Sequence, residues 1–161
     1  MGFQLNIETT GDSASIESPW YNTSNLGMAA IRSTMHGLGM LTRPTPPNLP
    51  PLSTFDLTIS DIIGPGQVVP GKEANLAAAQ AALEAMRAAT EEPAVRGIPH
   101  YKLNSNLEHW LVTPVEITAA LVAYDVRPAL ERRDLEACSA DWRRWIPFLR
   151  MAAQHRGIRV Y

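Results

Sequence analysis

Nine residues in the middle of the chain, Arg43-Pro44-Thr45-Pro46-Pro47-Asn48-Leu49-Pro50-Pro51, constrain the fold more than any other stretch. Five of them are proline. Proline lacks the backbone N–H and fixes φ at about −65°, so this run can neither continue a helix nor join a ladder. Regular structure has to be built on either side of it, and a Pro-rich extended crossover at 42–52 must join the parts. A PxxP-type ligand for an aromatic groove is the other use of such a run. It is disfavoured because those motifs sit in disordered tails, whereas this one lies mid-chain. With 161 residues there is room for one ordinary domain. The expectation is a single domain over 1–161.

Strands are sought where apolar residues alternate with polar ones. Phe3, Leu5 and Ile7 alternate with Gln4, Asn6 and Glu8. Ala14 and Ile16 then predict a short return strand stopped by Pro19. Phe55, Leu57 and Ile59 alternate with Thr54, Asp56, Thr58 and Ser60 and predict a second clear strand. Ile158 and Val160, after Gly157, read as a terminal strand.

Helices are read from spacing and caps. A helix is expected over 24–36, capped by Asn22 or Thr23 and ended by Gly37 and Gly39. The alanine-rich 72–90 is a second, with Leu76, Ala79, Leu83 and Met86 as its buried stripe. Thr113, Pro114 and Glu116 form a complete start signal for a third. Thr113 is the N-cap, Pro114 sits at N1, and Glu116 closes a capping box; Val112 and Ile117 supply the hydrophobic staple. A short helical piece is expected over 129–137. The last helix should start at Ser139 and run to about Arg156, with Trp142, Trp145, Ile146, Leu149, Ala152 and Ala153 inward and a kink at Pro147. The fold class is therefore α+β: a small two- or three-stranded sheet packed against three main helices plus a short helical piece.

Composition excludes several functions. Charged residues are 19% and the net charge is −2, so no global field draws the chain to nucleic acid or anionic lipid. The single cysteine, Cys138, cannot form an intramolecular disulfide and reads as buried and inert. No run reaches the roughly 18 apolar residues of a membrane span, and the opening residues carry no secretory signal, so a cytoplasmic location is expected. Only Lys72 and Lys102 are lysines among 14 basic residues. That bias, with abundant alanine, fits a GC-rich coding sequence of an actinobacterium or phage and concerns codons only.

Three stretches carry a resemblance: the opening Met1-Gly2-Phe3; Asn106 to Ile117, with Trp110-Leu111-Val112-Thr113-Pro114-Val115-Glu116 at its heart; and Trp142 to Leu149 followed by Gly157-Ile158-Arg159-Val160. Together they cover about a third of the chain. The pattern resembles a loose set of small bacterial and phage proteins with an MG-aromatic start, an "Asn…Trp-x-Val-Thr-Pro-x-Glu" segment and an aromatic helix before a final strand. The resemblance implies a shared fold and carries no mechanism.

No GxSxG, P-loop, GxGxxG or metal-spaced histidine pair is present, so no cofactor and no metal are expected. The remaining signal is an echo: Tyr21-Asn22-Thr23-Ser24-Asn25-Leu26 and Lys102-Leu103-Asn104-Ser105-Asn106-Leu107. Asparagines favour turns and caps, so two capping loops explain it. The sharper reading is one polar ligand site built from Asn22, Asn25, Asn106, His109 and Trp110, with Arg143 or Arg150 at its rim for charge. The function expected first is a non-catalytic binding or protein-interaction module, taking a protein partner or a small polar or anionic ligand. The alternatives are a small hydrolase- or transferase-type enzyme using a histidine near the asparagine loops, and a structural or assembly protein of a virion.

Overall fold

A computed structural model describes residues 2–9, 19–48, 50–64, 66–90, 96–104 and 109–161. In chain order the elements are β1 (Gly2–Ile7), β2 (Trp20–Ser24), α1 (Asn25–Gly37), β3 (Leu41–Thr42), β4 (Ile62–Gly64), β5 (Gln67–Val68), α2 (Glu73–Thr90), β6 (Ile98–Pro99), β7 (Leu111–Val112), α3 (Pro114–Asp125), α4 (Ala129–Cys138), α5 (Ala140–Ala152) and β8 (Ile158–Val160). Helices beside mainly antiparallel strands make this an α+β fold. The chain divides into two compact units, 1–45 with 93–161, and 46–92. None of the described residues between 43 and 51 joins a helix or ladder, as their prolines require.

The larger unit is built on an antiparallel sheet of four strands, in the order β2-β1-β8-β7. This is wider than expected, because Trp20–Ser24 and Leu111–Val112 add strands to its two edges. The predicted return strand at Ala14 and Ile16 lies outside the described residues. Strand pairing runs through Ser24 opposite Gly2. The cap of α1 is therefore Ser24, whose hydroxyl accepts from the Gly27 N–H at 3.0 Å, and not Asn22 or Thr23.

Leu5, Ile7, Val112, Ile158 and Val160 point to one side and are fully buried against α1, α3 and α5. The core there is aromatic. Tyr21 meets Trp145 edge-on at 5.2 Å and Phe148 at 5.4 Å, and Tyr124 meets Trp142 at 5.9 Å. Five of the six residues expected to face inward on α5 are buried, with Phe148 added and Ala153 half-buried. Its helix passes through exposed Pro147 and ends at Ala152; turns carry the chain on to Arg156. Gly157 then has φ +103, and a Cβ there would stand 2.1 Å from the Val112 carbonyl oxygen, so only glycine lets β8 enter beside β7. Cys138 is exposed at the end of α4, contrary to expectation, on a helix none of whose residues is fully buried.

The start signal of α3 is complete. The Thr113 hydroxyl accepts from the Glu116 N–H, and the Glu116 carboxylate accepts from the Thr113 N–H at 2.8 Å. Glu116 is wholly buried and also receives the Lys102 ammonium at 2.9 and 3.0 Å, itself 1% exposed.

The smaller unit holds α2 and the short β4–β5 ladder. Its expected strand at 54–60 is instead two short 3-10 turns, Leu52–Phe55 and Ile59–Asp61. Polar side chains override the alternation: the Asp61 carboxylate accepts from the Thr58 N–H at 2.7 Å and from its hydroxyl at 2.8 Å. Leu57 is buried, yet Ile59 is 83% exposed. The stripe of α2 (Leu76, Ala79, Leu83, Met86) is half-buried throughout and not core. No helix among the described residues is long and apolar enough to cross a membrane.

Candidate functional site: the outer face of the sheet

Side chains alternate along a strand, so burying Leu5, Tyr21, Ile158 and Val160 sends their neighbours to the opposite face. Two cross-strand rows result. Asn22 pairs with Gln4, and Gln4 exchanges backbone hydrogen bonds with Tyr161 at 2.9 and 2.7 Å. The Tyr161 ring in turn lies 4.9 Å from the His109 ring. The second row runs Trp20, Asn6, Arg159, Leu111. The Gln4 amide donates to Asn6 across the two rows at 3.3 Å.

This face is polar at its centre and aromatic at its margins. Trp20 is 55% and Tyr161 38% exposed. The Arg159 guanidinium is fixed by the Glu8 carboxylate and the His109 carbonyl, each at 3.2 Å. His109 has φ +52, a backbone state uncommon outside glycine, and there its ring meets Tyr161. At one end of the face Gly2, Gln4, Asn22 and Ser24 border an open hollow of about 540 Å³.

The residues singled out from the sequence disperse. Asn22 and His109 share one row but stand on the outermost strand and beside the opposite edge, three strand spacings or about 14 Å apart. They lie along one row of the sheet with Gln4 and Tyr161 between them. Asn25 is exposed in the first turn of α1. Asn106 lies outside the described residues. Trp110 is only 4% exposed, edge-on to Tyr101 at 5.3 Å, and so belongs to the packing. Arg143 is exposed on α5, its Nε donating to the Glu136 carbonyl at 3.1 Å. Arg150 is committed to Asp125 through two bonds of 3.1 and 2.5 Å, which hold its guanidinium pKa above the ordinary value.

The sequence places Trp20 beside Asn22 as an aromatic wall of the polar site, but Gln4, Asn6, Arg159 and Tyr161 were not legible as members of this face. The alternation in β1 already marked Gln4 and Asn6 as outward, but the strands beside them were not legible. Comparison with protein-family models, with curated proteins and with solved structures finds no match. Any functional reading therefore stands on geometry.

Proposed function

We propose that the chain is a non-catalytic binding module that takes a protein partner on the outer face of its four-stranded sheet. The observation that carries this is Trp20, 55% exposed on a hydrogen-bonded strand in the row of Arg159. Tyr161 and His109 lie in the next row. Tryptophan, tyrosine and arginine are the residues that dominate binding at protein interfaces. On a paired strand they lose little freedom when a partner arrives.

Size limits the reading. Four strands of two to six residues, spaced about 4.8 Å apart and rising about 3.4 Å per residue, give a face on the order of 250 Å². A stable interface needs about 800 Å² from each partner. The face is therefore the anchor of a transient contact or the centre of a wider one.

The test is retention of partners from lysate of the source cells by immobilised protein. A partner held by the native chain and by Val122→Ser, a change at an exposed position of α3, but released at least tenfold by Trp20→Ala, supports the proposal. Equal retention by Trp20→Ala, or no retention by the native chain, overturns it.

A further inference from the structure

A second, unrelated site lies in the same unit, where α1 meets the parallel pair β3–β6. Ala29, Arg32, Ser33 and His36 recur at helical spacing on one face of α1. Leu41 pairs with Ile98 and Thr42 with Pro99, so the next residues in register are Arg43 and His100. The close approach depends on Gly97, whose φ is +136 and whose Cβ would lie 2.5 Å from the Met40 carbonyl oxygen. These six residues line a cavity of about 270 Å³.

Every ionisable group in the lining is basic. The chain as a whole has 16 acidic and 14 basic residues, so a cleft of two arginines and two histidines with no carboxylate departs from its average. Among the described residues neither arginine has an ion pair. Arg32 is held in place: Nη1 donates to the Leu103 carbonyl at 2.7 Å, and the guanidinium lies 5.7 Å from the centre of the Phe3 ring. Burial, then Arg32, Arg43 and His36, pull the His100 pKa below the ordinary histidine value.

The geometry points to a binding site for a phosphate-class oxyanion, with Arg32 and Arg43 as the charged forks, the His36 and His100 rings as further donors, and the Ser33 hydroxyl completing the set. Guanidinium forks match tetrahedral oxyanions and form charge-assisted hydrogen bonds. The cavity is at the small end of ligand sites, enough for a phosphate group and a modest substituent. A dianion would offset the arginine charges and raise the His100 pKa. By linkage, binding then strengthens as pH falls toward the range in which His100 protonates, for as long as the phosphate keeps its charge.

The experiment is titration of inorganic phosphate into the full chain near neutral pH in about 0.1 M chloride, where exposed charges are screened beyond about 10 Å. The ring C–H resonances of all four histidines are followed. The expected result is a saturable shift of His36 and His100 that leaves His109 and His155 in place, is competed by sulfate, and weakens at least tenfold in Arg43→Gln. Arg43 is exposed and its side chain makes no hydrogen bond or ion pair among the described residues, so the change spares the fold. Phenyl phosphate is the second probe: tighter binding than inorganic phosphate marks a monoester site, and weaker binding marks a site for the free ion. Absence of saturation, equal shifts at all four histidines, or unchanged affinity in Arg43→Gln overturns the inference.

Discussion

Glu116 does two jobs with one carboxylate: it closes the capping box of α3 and neutralises Lys102 in the core. The first was legible because it is local, a Thr-x-x-Glu spacing that meets within one helical turn. The second was not, since the partners lie 14 residues apart and nothing in a sequence marks a lysine as buried. The two roles differ in consequence. Thr113→Ala removes a cap and should cost about 1 kcal/mol in a denaturant melt. Lys102→Met leaves a buried carboxylate without its counter-charge and should cost about 3–5 kcal/mol. Equal midpoints for the two variants would contradict the burial of this pair. Tyr21 makes a second prediction at this scale. Burial foremost, then the nearby Asp141, pushes its hydroxyl from 10.0 up to about 12. A pKa raised in the fold contributes stability that is complete below the unfolded value and lost as pH rises through the folded one. Ultraviolet titration should therefore find a tyrosine that resists ionisation at pH 10 and yields near 12, with stability falling over that window; loss of the late tyrosine in Tyr21→Phe assigns it.

Elements with a long period were legible and short ones were not. α3 and α5 follow from caps and spacing, and β1 from three alternations. β3, β6 and β7 have two residues each, too few for any period to register, and exist only because a partner strand satisfies them. Alternation also misled at 54–60, where Thr58 and Asp61 spend their hydrogen bonds locally. The two tryptophans of α5 and the leucine of α2 were read as equal core positions, and they are not. Trp145 is fully buried, so Trp145→Ala should cost about 3–5 kcal/mol. Leu83 is half-buried, so Leu83→Ala should cost about 1 kcal/mol. Similar losses in thermal melts would mean that α2 is more deeply packed than described.

At the scale of the molecule, what was least legible is what the topology juxtaposes. Asn22 and His109 were picked out as polar residues beside aromatics, yet only the strand order shows them in one row with Gln4 and Tyr161 between. Arg32, His36, Arg43 and His100 carry no motif; a helix face and a parallel strand pair assemble them. Binding there requires the sheet's outer face to be open to a partner, and Trp20 reports on it. The other tryptophans, Trp110, Trp142 and Trp145, are exposed by 4%, 2% and 0% against its 55%. Iodide quenching of tryptophan fluorescence is the measurement. The native chain should show an accessible fraction, and Trp20→Phe should abolish it while leaving the buried emission intact. Quenching that is absent in the native chain, or unchanged in Trp20→Phe, would contradict an open binding face.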